Sequence, residues 1–358
     1  MDKRLEFKTE QLVDMVSTFS AMYTPDKLYD YSNYITLYAR SGKLFGEMCV
    51  IMGGASNDAL VRLYRAGVGD LEFDRLVINF EELLKFMKKA KGETTTLEIE
   101  GNALKLLSGK ATHISNVSTV TIPSKILATL DNFFTNNTKE MVDFSLLSLY
   151  NNMNDIGSTL TLTTLKPVLY GIMHTSEYLL ATNGLYVSSY IDTSIKEPFL
   201  FPKHSIKIFK TLPKLEARYA IQDRKIFIEG DGYQCYIGEW SKVSDYKYDV
   251  LVNIIEDTSS QEVNEPQEVI ESANACLSFQ DIVHLYLGKG YAISEDGKHK
   301  VEFPPTESYG DTRLTFHRDV FIKDSDVDVL SFSKERMYGK ASSLNKSYIF
   351  LGMRYEND

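Results

Sequence analysis

The chain has 358 residues, 43% of them hydrophobic and 25% charged, and a net charge of −10. That length exceeds one ordinary core and predicts two or three domains, with a balance usual for soluble globular proteins. No apolar run approaches the ~18–20 residues of a membrane span. "MDKRLEFKTEQ" has no apolar stretch of the kind a signal peptide needs. An acidic chain does not attract nucleic acid over its whole surface, so a role on DNA requires positive charge gathered on one face.

Read in chain order, one element recurs. "LEFKTEQLVDMV" at Leu5 is a short apolar-x-apolar strand, a polar break and a helix opening on paired apolar residues. After the strand-rich stretches "NYITLYARSGKLFGEMCVIM" and "DALVRLYRAG", "LVINFEELLKFM" at Leu76 repeats it, with Asn79 placed as an N-cap. "VTIPSKILATL" at Val120 and "FLFPKHSIKIF" at Phe199 repeat it again, with Pro123 and Pro202 at the break, where proline suits a helix start. Looser fifth and sixth copies begin at Ala275, "ACLSFQDIVHLY", and Leu314, "LTFHRDVFI". At this apolar content such registers also arise by chance, on the order of a dozen times. The repeat gains weight because the second and fourth copies are followed by similar strand pairs, "TTLEIEGNALKLLSG" and "LEARYAIQDRKIFIEGDGYQCYIGEW". "EDTSSQEVNEPQEVIE" (256–271) has six acids and no bases and reads as a linker or exposed loop. The boundaries that follow are 1–117, 118–255 and a shortened 256–358, since the last two copies start only 39 residues apart.

Chemistry-bearing motifs are absent. There is no GxxxxGK[ST], GxGxxG or GxSxG, and "MGGASND" (52–58) lacks the Lys-Ser/Thr that a phosphate cradle needs. The six histidines (113, 174, 204, 284, 299, 317) show no metal-ligand spacing. Asp324, Asp326 and Asp328 alternate like calcium-loop ligands but lack the loop's glycine and distal glutamate, so they read as the polar side of a strand or turn. Cys49, Cys235 and Cys276 are far apart and odd in number. That fits buried thiols in the reducing cytoplasm rather than a disulfide framework. No catalytic constellation, metal or cofactor is expected, and a non-enzymatic role follows.

Three stretches together resemble the bacterial DNA sliding clamps, the β subunit of the replicative polymerase. "TTLKPVLYGIMHTSEYLLATNGLYVSSY" (163–190) is similar to that family's middle domain, where a strand ends in Ala-Thr-Asp-Gly. "FLFPKHSIKIFKTLP" with "GEWSKVSDYKYDVL" resembles its second helix and the Phe-Pro-Asp-Tyr segment, and "SYIFLGMRYEND" its closing Tyr-x-x-Met-Pro-Met-Arg-Leu. Asn183, Ser244 and Gly352 depart from the family pattern, and "TNNTKEMVDFSLLSLYNNMND" reads as an insertion. This is the pattern of a divergent clamp, including one encoded by a phage.

The resemblance implies an α+β fold of three clamp domains, each of two helix-plus-β-sheet halves, assembling into a ring-shaped homodimer around duplex DNA. The short third domain leaves dimer, trimer and monomer open. The implied partners are duplex DNA without sequence preference, the polymerase and a clamp loader, with no membrane. DNA-facing lysines are then Lys203, Lys207, Lys210 and Lys214, spaced i, i+4, i+7, i+11 as one helical stripe above a buried Ile206, Phe209 and Leu212, and Lys85, Lys88 and Lys89 on the second copy. Glu81 and Glu82 argue against a uniformly basic lining. The family's hydrophobic cleft for partner peptides maps to Leu169, Thr182, Gly184, Leu185, Tyr186, Tyr248, Val250, Phe350, Leu351, Met353 and Arg354. Strand alternation sends Phe350 and Leu351 to opposite faces, so one of them is an ordinary core residue. The competing readings are a β-rich repeat protein of phage structure or assembly, without affinity for polymerase peptides, and an enzyme with a dispersed site, which a bound metal or nucleotide would favour.

Overall fold

The computed structural model describes residues 3–51, 58–68, 72–137, 140–160, 167–214, 216–322, 327–333 and 338–352. The first elements are β1 (Lys3–Lys8), α1 (Thr9–Met22), β2 (Tyr34–Arg40), β3 (Lys43–Ile51), β4 (Asp58–Ala66), β5 (Phe73–Asn79), α2 (Phe80–Met87), β6 (Thr94–Glu100), β7 (Ala103–Ser108) and β8 (Ala111–Asn116). Then come α3 (Ser124–Asn136), β9 (Val142–Phe144), α4 (Leu146–Ile156), β10 (Gly171–His174), β11 (Tyr178–Thr182), β12 (Tyr186–Ile191), β13 (Phe199–Pro202), α5 (Ser205–Thr211), β14 (Ala217–Gln222), β15 (Lys225–Gly230) and β16 (Tyr233–Gly238). The last are α6 (Tyr248–Ile255), β17 (Gln261–Glu262), α7 (Pro266–Leu277), β18 (Ile282–Tyr286), β19 (Tyr291–Ser294), β20 (Lys300–Glu302), β21 (Leu314–His317), β22 (Val329–Ser333), β23 (Tyr338–Ser343) and β24 (Lys346–Leu351). Among the described residues no helix is long and apolar enough to cross a membrane.

The chain forms two compact units, Met1–Asn151 with Phe201–Trp240 and Asn152–Leu200 with Ser241–Asp358. The first holds a four-stranded sheet, β1-β6-β7-β8, and an eight-stranded sheet, β5-β2-β3-β4-β16-β15-β14-β9. The second holds β13-β10-β11-β12-β24-β23-β22-β17 and β20-β19-β18-β21. These sheets resolve into six sets of four strands, opening on β1, β5, β9, β13, β17 and β21, and in the first five the opening strand runs into a helix. Two pairs of sets join edge to edge, through β4 with β16 and β12 with β24, while β8 and β20 each end a sheet.

Local chemistry explains the elements. Helix α1 buries Leu12, Met15, Val16, Phe19 and Met22, the spacing of one helical face. It lies so close to β3 that a Cβ on Gly46 would meet the Met15 sulfur at 2.4 Å. The β2–β3 hairpin turns on Ser41 and Gly42, both at positive φ (53° and 71°), as a two-residue turn matched to strand twist requires. Asn79 caps α2 as its sequence position predicts, its side chain accepting from Glu82 N at 3.1 Å.

Several repeat boundaries move. At Val120 no strand precedes α3, and the third strand-plus-helix instead falls inside the supposed insertion, as β9 and α4. Val142, Phe144 and Leu149 there carry the same 1, 3, 8 register. The fifth copy is also displaced, because the segment from Ala275 is the end of α7 followed by β18 rather than a strand followed by a helix. The acidic stretch 256–271, read as a linker, contains that copy's short strand β17 and the start of α7. Pro266 opens α7, Glu268 complements its N-terminal dipole, and Val269, Ile270, Ala273, Cys276 and Leu277 are buried. Acidic composition masked an amphipathic helix. The sixth copy keeps its strand, β21, but turns back where a helix was expected, with Val320 N and Phe321 N both donating to the His317 carbonyl. Of the alternating aspartates, Asp324 and Asp326 lie outside the described residues, as does 52–57 of the glycine-bearing segment, and Asp328 donates its N–H to the Ser342 carbonyl beside β22.

Candidate functional site

Within the second unit, the β11–β12 hairpin, β24 and α6 enclose an apolar groove of about 290 Å3. Its polarity follows from strand alternation. Val187 pairs with Ile349, and Leu351 N donates to the Leu185 carbonyl at 3.1 Å, so Leu185, Val187, Ile349 and Leu351 share one face. Tyr186 and Phe350, paired one residue along, take the other face. There Phe350 is fully buried, its ring 5.3 Å from Phe316 and 5.1 Å from Phe321. The turn is fixed by its own side chains. The Thr182 hydroxyl accepts from Gly184 N and donates to the Tyr186 carbonyl, and the Asn183 side-chain oxygen accepts from Leu185 N and Tyr186 N. Gly184 sits at φ +94°, where any other residue is strained. Helix α6 supplies Val250, Leu251 and Ile254 as the facing wall. Its C-terminal end is tied down by Tyr178 to Glu256, Tyr338 to Asp257 and Lys340 to the Ile255 carbonyl.

Of the residues named from sequence, Leu169, Thr182, Gly184, Leu185, Val250 and Leu351 line this groove. Tyr186 and Phe350 pack into the core on the opposite face, and Tyr248 starts α6 without lining the groove. Met353 and Arg354 lie outside the described residues. Sequence reasoning missed Val187, Ile349, Tyr246, Lys247, Leu251 and Ile254. Alternation with Leu185 and Leu351 could have found the first two, and the i, i+1, i+4 spacing of Val250, Leu251 and Ile254 the helical wall.

The lysine rows lie in the first unit, where α1 packs against both α2 and α5. The four-lysine stripe is not all helical. Leu212, preceding Pro213, is extended (ψ 146°), so α5 ends at Thr211 and carries only Lys207 and Lys210, both exposed. Lys203 precedes the helix, and burial lowers its pKa. Lys214 folds back, donating to the Lys210 carbonyl at 2.8 Å with its ammonium 4.8 Å from the Tyr150 ring centre. Beneath the stripe Phe209 and Leu212 are buried and Ile206 is half-buried. On α2, Lys85 lies 3.8 Å from Glu81, while Lys88 and Lys89 are exposed just past the helix end. Between these rows α1 exposes Glu10 and Asp14, the latter paired with Arg65 at 2.6 Å. In the second unit α7 carries no lysine or arginine.

No family model matches the sequence, and no curated protein matches it. Solved structures do. The β clamp of Helicobacter pylori bound to a DNA ligase peptide superposes with a TM-score of 0.69 at 16% identity, over 99% of this chain and 100% of that one. The DNA polymerase III β subunit of Pseudomonas aeruginosa gives 0.74 at 10% identity over 99% and 100%. That of Thermotoga maritima gives 0.68 at 14% over the same shares. The fold is that of the bacterial sliding clamps. The six sets of strands are the repeated halves of the clamp fold, and the likeness to clamps read from three short motifs extends over nearly the whole chain. Cys49, Cys235 and Cys276 are free and buried, and burial raises the pKa of each thiol. Among the described residues no group of three His, Cys, Asp or Glu side chains is arranged to hold a metal ion.

Proposed function

We propose that the protein is a DNA sliding clamp of the cytoplasm: a ring that encircles duplex DNA, tethers a polymerase through the groove between the β11–β12 hairpin, β24 and α6, and catalyses nothing. The observation that carries this is the pair of unjoined sheet edges. Four of the six strand sets meet in pairs, and the two left over present β8 and β20. A second copy that pairs its β20 with β8, and the reverse, completes the pattern and closes a symmetric two-subunit ring. Among the described residues eight strands fall in each of 1–117, 118–255 and 256–358, which supports three clamp domains with those bounds. The H. pylori clamp bound to a DNA ligase peptide supports a peptide partner for this groove.

Electron microscopy of the purified protein tests the reading. Particles with a central hole and a mass of two chains are expected, and a strict monomer that forms no ring on DNA with a loader would sink it. Ile114, 65% exposed on β8, would be covered on closure. Ile114→Asp therefore weakens self-association roughly tenfold to a hundredfold, as expected from about 1.5–3 kcal/mol for a buried isoleucine, read by sedimentation.

The proposed DNA contacts are loose and electrostatic, from Lys203, Lys207, Lys210 and Lys214 and from Lys85, Lys88 and Lys89. Charge reversal of Lys207 and Lys210 to glutamate shortens the lifetime of loaded protein on circular DNA at low salt, and the difference shrinks as salt rises. Equal lifetimes at low salt would make this row an ordinary solvated surface.

A further inference from the structure

The long sheet of the first unit carries a row of aromatic side chains on the face turned away from the lysine rows. Gly46 of β3 lies against Met15 of α1, so its neighbour Phe45 takes the opposite face. There Phe45 stands in register between Tyr38 of β2 and Tyr64 of β4. Tyr38 and Phe45 stack at 4.8 Å with 4° between their planes, and Tyr64 follows at 5.8 Å. A cation covers each end of the row. The Arg75 guanidinium lies 5.5 Å from the Tyr38 ring centre, and the Lys43 ammonium 4.8 Å from that of Tyr64. From Arg75 to Tyr64 the row crosses the neighbouring strands β5, β2, β3 and β4. That is about 14 Å at ~4.8 Å per strand, long enough for more than one stacked base.

The rings are fixed and the cations are not. Tyr38 donates to the buried Glu47 at 3.0 Å, and Tyr64 to the Gly230 carbonyl at 3.4 Å. Arg40 and Lys43 are exposed, face each other directly across the β2–β3 ladder, and have no ion-pair partner among the described residues. Like charges directly opposite are unfavourable, and an anion between them removes the penalty. Arg75 is 41% exposed and reaches Glu47 and Asp131 only at 3.5 Å. Between the row and α3 opens a cavity of about 670 Å3, lined by Tyr38, Phe45, Arg40, Arg75 and Thr135. Of the acids at this cavity, Asp131 is engaged by Arg62, and Asp74 is exposed at the rim.

We propose that this face binds single-stranded nucleic acid. Bases stack on the row, displacing Arg75 and Lys43 from the end rings, and Arg40, Lys43 and Arg75 take the phosphates. Arginine suits both tasks, because its planar fork binds phosphate through two bonds and stacks on aromatic faces. Every base has a π-face, so the contact is tolerant of sequence and sensitive to salt. An acidic peptide would satisfy the cations and leave the rings without a stacking partner, which favours nucleic acid. A duplex hides its base faces, so this site differs in ligand and in place from the proposed ring lining and does not rest on ring closure.

Fluorescence anisotropy of the full-length protein tests this with labelled probes: an oligothymidylate of about twelve nucleotides, an abasic strand of the same length, and polyglutamate. The oligothymidylate binds about tenfold more tightly than the abasic strand, and polyglutamate more weakly than either. Arg40→Glu with Lys43→Glu weakens oligothymidylate binding about tenfold or more and flattens its salt dependence. Phe45→Leu with Tyr64→Leu removes the preference over the abasic strand, and Asp74→Asn tightens binding of both strands. Bromodeoxyuridine placed in the strand photocrosslinks to Tyr38, Phe45 or Tyr64. Equal binding of oligothymidylate and abasic strand by the wild type overturns the proposal, as does wild-type binding by the folded charge variant or crosslinking confined to α2 and α5. Polyglutamate bound as tightly as the oligothymidylate would make the face a protein-docking surface and overturn it as well.

Discussion

Arg62→Met destabilises the first unit by about 3–5 kcal/mol, the loss typical of a buried ion pair stripped of one partner. Glu47 on β3 is fully buried and faces Arg62 across the ladder. The Arg62 Nε donates to Glu47 at 2.8 Å, a second guanidinium nitrogen lies 2.6 Å from the same carboxylate, and Arg62 also pairs with Asp131 on α3. Tyr38 adds a hydrogen bond to Glu47 at 3.0 Å, and Arg75 lies 3.5 Å from its second carboxylate oxygen. Removing the guanidinium takes the closest counter-charge from a fully buried carboxylate and leaves it only Tyr38 and the longer contact with Arg75. The single tryptophan, Trp240, belongs to the same unit, so urea unfolding followed by its fluorescence reads the loss. Replacing both partners, Glu47→Met with Arg62→Met, recovers most of it, because no unpaired charge remains. A single variant as stable as the wild type would mean that the network contributes nothing.

Asp192→Asn costs the second unit about 3 kcal/mol at neutral pH, and the gap closes in acid. Asp192 is 4% exposed, and burial by itself raises its pKa. Hydrogen bonds outweigh that. His174 Nε2 donates at 3.2 Å, the Ser194 backbone N–H at 2.9 Å and Asn152 Nδ2 at 2.8 Å, and the carboxyl is held well below the usual range. A group whose folded pKa is depressed contributes stability above its unfolded value, about 3.9, and loses it as pH falls toward the folded value. The wild type therefore keeps this contribution between pH 5 and 8 and loses it progressively below about pH 4, whereas the variant has none to lose. Denaturant unfolding at stepped pH measures both curves, and parallel curves would show that Asp192 is not the acid-sensitive group.

The repeat was legible wherever a strand and its helix keep their own local signals. Leu5, Leu76 and Phe199 mark true strand-to-helix junctions, and Asn79 is a true cap, because capping, proline placement and apolar spacing act over a few residues. The junctions at Val142 and Pro266 were hidden by composition, the first inside an apparent insertion and the second inside an acidic run. The lysine stripe was overextended because i, i+4 spacing continues past Pro213 on paper and the backbone does not.

By itself the sequence determined the strand-to-helix junctions at Leu5, Leu76 and Phe199, the alternation that separates Phe350 from Leu351, and the turn chemistry of Thr182-Asn183-Gly184, all of them consequences of bonds and sterics between near neighbours. Only the tertiary structure decided that β12 pairs with β24 and β4 with β16, and which residues face Leu185 across the groove. It alone decided that Arg62 meets Glu47 and Asp131, that His174 meets Asp192, and that the Tyr246 hydroxyl is buried without a partner. The pairs that define the groove and the buried networks join residues tens to more than a hundred positions apart. Their partners are chosen by the summed burial of whole sheets, and no single segment carries that quantity in its own letters.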